Sequence, residues 1–214
     1  MNKKLLDGRT VAILVSNGFD EVEFTDPQKR LIELGATVKV VSRVKNLVNG
    51  WYEGNWGHFF PVHADVSDTL AIDFDGLIIP GGMRSVEKLF DDPHAKRILK
   101  AFLKADMPVL LIGDSVKLLI AIEKVAGISL TSSFKVKEDL ITASANWVDQ
   151  EVVLDKNLIT GSGSSKLEEF GLQKVSTNSF SDEIVVISSI GPFSAVNTIA
   201  PADVETAGMT LVRS

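Results

Sequence analysis

The segment that most constrains the fold runs from Val109 to Leu119, where a short apolar run meets a turn and then a helical pattern. Residues 109–112 read Val-Leu-Leu-Ile, and Gly113-Asp114-Ser115 follows directly. A short apolar run bounded by turn residues predicts a buried parallel strand, and Asp or Ser ahead of a periodic segment predicts a helix N-terminus. The segment therefore predicts a sharp strand-to-helix turn, where many α/β hydrolases hold a nucleophile. Its apex is Gly113, which has no side chain with which to attack.

Strand and helix patterns alternate along the chain on both sides of this turn. Strands are predicted at 10–16, 37–41, 74–80 and 109–112, helices at 20–34, 93–104, 116–125, 135–143 and from Ser165, and a hairpin at 151–160. Pro27 predicts a late start or a kink in the first helix, and Gly127 is the predicted end of the third. This alternation with short loops predicts a mostly parallel sheet covered by helices on both faces.

Residues 43–64 are predicted to leave this pattern as a hairpin. Asn49-Gly50 is the strongest short hairpin signal in the chain, and a group of aromatic residues follows it: Trp51, Tyr52, Trp56, Phe59 and Phe60. A packed flap or a subunit interface explains such a group better than a platform for stacked nucleic-acid bases, because the chain is acidic.

Composition narrows the function further. The chain of 214 residues has a net charge of −6 and no cysteine, so nucleic-acid binding, disulfides, zinc–thiolate sites and thiol catalysis are not expected. His58, His63 and His94 lack metal-site spacing and are interpreted as solvated or locally bonded. We expect no metal, no cofactor, no membrane segment and a cytoplasmic location.

Four segments in order then resemble one family. They are GFDEVEFTDPQKRLIELGATVKVVS (18–42), FDGLIIPGG (74–82), the strand-to-helix turn at Gly113, here called the elbow, and ANWVDQEVVLDKNLITG (145–161). Together they resemble the ThiJ/PfpI superfamily, which includes intracellular protease I-like proteins. The resemblance implies a flavodoxin-like three-layer α/β/α sandwich with a mostly parallel sheet over residues 1–175. It also implies a homodimer or higher oligomer. Residues 176–214 are predicted to be a C-terminal appendage packed on this domain or in the oligomer interface.

The resemblance also implies the site. The family's nucleophilic cysteine falls on Gly113 and the adjacent histidine on Asp114, whereas its partner glutamate is retained as Glu23. Gly81 and Gly82 resemble the backbone donors of the family's oxyanion pocket. The acidic member of the protease-type triad falls on Val86, with Glu87 one position later, so that acid is absent or displaced.

Glu23, Gly113 and Asp114 are therefore predicted to form a vestigial nucleophile pocket, with Gly81, Gly82 and Ser115 as ligand-binding residues. Ser115 is not favoured as a replacement nucleophile, because it lies two residues past the apex; a serine there bonds the backbone of a helix start. Asp114 either pairs with Glu23 through a proton, a cation or a water, or turns outward as a helix cap.

Two functions stay open. One is a non-catalytic family member, a pseudoenzyme acting as a binding, scaffold or stress-related oligomer, with a small molecule as a possible ligand of the pocket. The other is a peptidase/amidase-like or glyoxalase/deglycase-like enzyme that uses Glu23 or Asp114 as a general base.

Overall fold

A computed structural model describes residues 4–163 and three short strands farther along the chain. The strands are β1 (Thr10–Leu14), β2 (Phe19–Asp20), β3 (Thr37–Ser42), β4 (Leu47–Tyr52), β5 (Asn55–Pro61), β6 (Ala64–Asp65), β7 (Gly76–Ile79), β8 (Val109–Ile112), β9 (Ser129–Leu130), β10 (Asn146–Trp147), β11 (Val152–Asp155), β12 (Leu158–Gly161), β13 (Gln173–Lys174), β14 (Ile184–Val186) and β15 (Asn197–Ile199). The helices are α1 (Glu21–Glu33), α2 (Met83–Asp91), α3 (Pro93–Lys104), α4 (Leu118–Ala121) and α5 (Phe134–Thr142), with 3-10 turns at Ala71–Asp73 and Gly113–Lys117.

A seven-stranded sheet, in the order β11-β12-β8-β7-β1-β3-β6, organises the molecule. Its neighbours pair in parallel except β11 and β12, which form an antiparallel hairpin. The chain therefore has the predicted flavodoxin-like α/β fold. In that fold, ligand sites lie beyond the carboxyl ends of the strands, and the predicted elbow follows the carboxyl end of β8.

Alternating side chains divide the core between the two faces of the sheet. In β8, Leu110 and Ile112 pack on the face that α1 covers through Phe24 and Leu31. Leu111 packs on the opposite face, against residues of α2, α3, α4 and α5. Because successive strand residues point to opposite faces, the continuous apolar run of β8 fills both layers of the sandwich.

The first helix differs from its prediction at Pro27. α1 begins at Glu21, which excludes the late start, and Pro27 lies buried inside the helix; the alternative, a kink at Pro27, stays a prediction. Asp20 fixes this early start, since its Oδ1 accepts hydrogen bonds from the N–H groups of Val22 (3.0 Å) and Glu23 (3.1 Å). Capping of the first turn thus places Glu23 on a helix.

The segment after the elbow is shorter and tighter than predicted. Instead of one helix over 116–125, a 3-10 turn over Gly113–Lys117 leads into the four-residue α4. Glu123, with a φ of +56°, ends the helical path four residues before the predicted terminator, Gly127. α2 was not predicted at all.

The turn of the hairpin formed by β4 and β5 does not lie at Asn49-Gly50, where it was predicted. Asn49 and Gly50 lie inside β4, and the turn is Glu53-Gly54, where both residues have positive φ (+46° and +81°). Two consecutive positive φ values suit the twist of a two-residue hairpin loop. The register shifts between Asn49 and Trp51, where Gly57 and His58 of β5 together oppose Gly50, as in a β-bulge of β5.

Most of the predictions for the C-terminal part of the chain concern residues that the structure does not describe. The helix predicted from Ser165 and most of the appendage, 176–214, lie outside the described residues. Within the described part, β14 pairs antiparallel with β13 and β15.

Candidate functional site at the elbow after β8

The elbow is the turn at Gly113, which has a φ of +58°. A left-handed conformation costs an L-residue roughly 1–2 kcal/mol, a cost that glycine avoids. Gly113 thus adopts a conformation that disfavours any residue with a side chain. A methyl carbon on Gly113 would lie 3.0 Å from Oε1 and 3.2 Å from Oε2 of Glu23. The Glu23 carboxylate thus lies against the position from which a nucleophile would project.

Glu23 reaches the elbow from the first turn of α1. It is buried, and its Oε2 accepts a hydrogen bond of 2.6 Å from the Gly81 N–H. An acid in a helix's first turn is usually a surface residue favoured by the helix dipole. Here it lies beneath the elbow, as the resemblance implied.

Three glycines from three loops surround this carboxylate. Gly81, Gly113 and Gly163 follow the carboxyl ends of β7, β8 and β12, which meet at one edge of the sheet. A methyl carbon on Gly81 would lie 2.6 Å from Glu23 Oε2, and one on Gly163 would lie 3.1 Å from Oε1. Any side chain at these positions would displace the carboxylate, so the glycines shape the site.

Gly82 serves a close contact between backbones. Its φ is +95°, and a methyl carbon there would lie 2.5 Å from the Asp20 N and 2.6 Å from the Gly18 O. The neighbouring Gly81 carbonyl accepts a hydrogen bond of 2.9 Å from the Asp20 N–H. The Gly81 N–H is directed at Glu23, and the role of both glycines toward a ligand stays a prediction.

Asp114 is held from the side of α5. It is only 6% exposed, and its Oδ1 accepts a hydrogen bond from the Ser133 hydroxyl. The Ser133 N–H also donates to the Gly113 carbonyl (3.3 Å). The outward-turned cap considered for Asp114 is therefore wrong, because Ser133 competes successfully for the carboxylate. The pairing of Asp114 with Glu23 stays a prediction.

Ser115 lies fully buried in the core. Its Oγ accepts a hydrogen bond of 2.8 Å from the Ile112 N–H and lies 2.7 Å from the Ile79 carbonyl, to which it can donate. The interpretation of Ser115 as a serine that bonds backbone groups is confirmed. The same bonds tie the ends of β7 and β8 together, and the role of Ser115 toward a ligand stays a prediction.

The two positions considered for the acid of the protease-type triad differ in burial. Val86 is buried in the core, and Glu87 is exposed on another face of α2. Arg84, one turn earlier, instead places its guanidinium 4.1 Å from the centre of the Trp51 ring. This cation–π contact joins the start of α2 to the hairpin.

The histidines that neighbour the sheet and the hairpin are locally bonded, as predicted. The His58 Nδ1 lies 2.5 Å from Glu21 Oε1, and the His58 N–H donates to Glu21 Oε2 at 2.8 Å. The His63 Nδ1 accepts a hydrogen bond of 3.0 Å from the Val40 N–H. No group of three or more metal-ligating side chains occurs among the described residues.

Sequence reasoning missed Ser133 and Gly163 as site residues. Ser133 has a local signal, because it precedes a helical pattern as an N-cap does, but its bond to Asp114 spans 19 positions. Gly163 has no signal beyond being glycine. Within the part of the chain that the structure describes, no helix is long and apolar enough to cross a membrane.

Comparison with known proteins agrees with this geometry. The model of the DJ-1/PfpI family matches residues 9–177. An uncharacterized Staphylococcus haemolyticus protein is 32% identical over 78% of this chain and 96% of its own length. A Bacillus subtilis protein named "Putative cysteine protease YraA" is 31% identical over 78% of this chain and 96% of its own.

Solved structures share the fold. A ThiJ/PfpI domain protein from Brachyspira murdochii superposes with a TM-score of 0.67 at 22% identity, over 73% of this chain and 88% of its own. DJ-1 from Schizosaccharomyces pombe gives 0.65 at 23%, over 72% and 83%. The match of the family model across most of the sequence, with the glutamate-backed elbow at the end of β8, shows that the chain belongs to the DJ-1/PfpI family.

Proposed function

We propose that this protein is a family member that works without thiol chemistry, as a binding or scaffold protein that associates with itself. The observation that carries the proposal is the elbow. Gly113 offers no nucleophile, the whole chain has no cysteine, and the Glu23 carboxylate lies against the Gly113 backbone. A cysteine mechanism needs a thiolate, and none can form in this chain.

The elbow retains groups that suit a small polar ligand. Glu23 and Asp114 supply carboxylate oxygens, and the buried glycines Gly81, Gly113 and Gly163 lie against Glu23. Ligand sites combine a few fixed polar groups with a preformed shape, and the bonds from Gly81 and Ser133 fix these two carboxylates. Binding without turnover is the simplest use of such a site.

A second candidate is an enzyme in which Asp114 or Glu23 acts as a general base, with peptidase/amidase-like or glyoxalase/deglycase-like chemistry. The hydrogen bond from the Ser133 hydroxyl to Asp114 favours it, because a carboxylate already in contact with a hydroxyl proton is placed to accept it. General base catalysis alone supplies roughly 10²–10⁴-fold, so any such activity would be modest.

A direct activity assay distinguishes the binding protein from the general-base enzyme. Purified protein is tested for methylglyoxal consumption and for hydrolysis of a fluorogenic peptide library, beside Glu23→Ala and Asp114→Asn. The proposal expects wild-type rates equal to those of both variants and of buffer. A wild-type rate above buffer that disappears in either variant would overturn it in favour of the second candidate.

A further inference from the structure

Ser133 and Asp114 form a hydroxyl–carboxylate pair beside the elbow that no resemblance implied. The Ser133 hydroxyl donates to Asp114 Oδ1, and the Ser133 N–H donates to the Gly113 carbonyl. Asp114 is buried, whereas Ser133 is partly exposed. The acceptor of the hydroxyl proton is thus buried, and the serine that donates it lies at the boundary with solvent.

The backbone around Ser133 supplies donors for a developing oxyanion. Ser133 is the N-cap of α5, yet its side chain makes no capping bond to its own helix. The first N–H groups of a helix lack partners within it. Within residues 4–163, Phe134 and Lys135 have no hydrogen-bond acceptor for theirs. In serine hydrolases the N–H after the nucleophile forms part of the oxyanion hole, and that N–H here belongs to Phe134.

An apolar wall stands next to the same hydroxyl. Phe134 is 69% exposed, and its ring centre lies 5.7 Å from that of Trp147. The Trp147 indole N–H donates to the Ser132 hydroxyl at 3.0 Å, which fixes the ring. The Lys137 ammonium lies 4.0 Å from the centre of the Trp147 ring. The same ammonium lies 5.6 Å from the centre of the Phe134 ring, so the surface left for an apolar acyl group is the exposed part of Phe134.

We propose that Ser133 is a reactive serine that accepts the acyl group of an activated ester with an apolar acyl chain. The Ser133 Oγ attacks the ester carbonyl, and its proton passes to Asp114. The tetrahedral oxyanion faces the N–H groups of Phe134 and Lys135. It collapses by breaking the bond to the alcohol oxygen, which leaves as alkoxide or phenolate, and the proton on Asp114 returns to solvent.

The acyl chain is then an ester of Ser133, and water can hydrolyse it with Asp114 as base. Aspartate is a much weaker base than histidine, so the reaction requires a good leaving group. This inference goes beyond the proposed function: labelling of Ser133 without turnover is compatible with a binding protein, whereas hydrolysis of the acyl-serine would favour the second candidate. Failure of the inference would leave the proposed function standing.

The test maps covalent labelling by peptide mass spectrometry. Full-length protein is treated with p-nitrophenyl butyrate and, separately, with an alkyl fluorophosphonate, which transfers its phosphoryl group to serine with loss of fluoride. We expect both adducts on Ser133 and none in Ser133→Ala. In Asp114→Asn, with folding checked by thermal unfolding, labelling should be about 100-fold slower, because the base is lost.

Ser67 provides a matched control. Its hydroxyl also bonds a carboxylate, Asp65 Oδ1 at 2.8 Å, but it lies in a turn without a helix start. Ser67 holds the pKa of Asp65 below its usual value through backbone and side-chain hydrogen bonds. In the Ser67→Ala variant, the extent of labelling at Ser133 should equal that of the wild type.

The wild-type map decides the inference even if a variant fails to fold. An adduct on Ser133, whether trapped or turned over, supports it. The inference is overturned if the mass spectrum shows no phosphonate adduct on Ser133. It is also overturned if Ser133 and Ser67 carry the adduct to equal extents.

Discussion

The glycine at the elbow combines two constraints that can be separated by substitution. Gly113 has a φ of +58°, and a methyl carbon there would lie 3.0 Å from Glu23 Oε1. Gly127 has a φ of +75°, but no atom lies within 4 Å of its methyl position. Gly127→Ala should therefore show only the backbone cost, on the order of 1 kcal/mol.

Gly113→Ala should cost roughly 2 kcal/mol, because the displaced carboxylate adds to the backbone cost. Urea denaturation of the two variants and the wild type gives both losses in free energy of unfolding. Equal losses in the two variants would mean that Glu23 moves aside freely, and the close packing at the elbow would then have no energetic consequence.

The same residues mark how far the sequence predicts the site. A positive φ at Gly113 follows from the motif, because strand-turn-helix geometry is local, whereas the place of Glu23 beneath the elbow follows only from the family resemblance. The contact of Asp114 with Ser133 does not follow, since it depends on how α5 docks on the elbow. An isolated aspartate before a helical pattern predicts a cap, and only the tertiary partner decides otherwise.

At the scale of elements, the β4–β5 hairpin is fastened to α1 by a buried carboxylate. Glu21 Oε2 accepts the His58 N–H, and a methyl carbon on Gly57 would lie 1.9 Å from that same oxygen. Gly57→Ala must therefore push the carboxylate away from His58.

The Gly57→Ala variant should expose the His58 amide to hydrogen exchange about tenfold faster, the result of losing one charge-assisted bond. Gly54→Ala is the control, because its methyl position is open although its φ is +81°. Hydrogen exchange followed by mass spectrometry or NMR measures both variants. Unchanged protection of the His58 amide from hydrogen exchange in Gly57→Ala would contradict a stabilising role of the contact between Glu21 and His58.

The hairpin also illustrates why turn signals mislead at this scale. Asn-Gly favours a tight turn, yet Asn49 uses its side chain to donate to the Gly57 and His58 carbonyls across the hairpin. Gly50 is needed where the Glu21 carboxylate packs, since a methyl carbon there would lie 2.7 Å from Glu21 Oε2. The Asn49-Gly50 dipeptide thus permits the close approach of β4 to α1, and Glu53-Gly54 forms the turn.

For the whole molecule, the parallel sheet is the part that sequence predicts best, because continuous apolar strands such as β8 must be covered on both faces. Assembly depends instead on surfaces that folding leaves uncovered. Four large apolar side chains of the hairpin stay exposed: Leu47, Tyr52, Trp56 and Phe59, the last at 67%. A set of this kind on one element marks an interaction surface, and β5 lies at the edge of its three-stranded sheet.

We therefore predict that the protein is at least a homodimer and that the hairpin face lies in the contact between subunits. Burial of one aromatic side chain contributes roughly 1.5–3 kcal/mol, so a charge introduced there should weaken association strongly.

Trp56→Glu and Phe59→Glu are compared with Ile72→Glu, because Ile72 is 85% exposed but lies in the 3-10 turn before β7. Analytical ultracentrifugation at micromolar concentration should give an oligomer for the wild type and Ile72→Glu, and monomers for the two hairpin variants. A monomeric wild type would refute the assembly itself, and an oligomer that survives both hairpin substitutions would place the contact on another face.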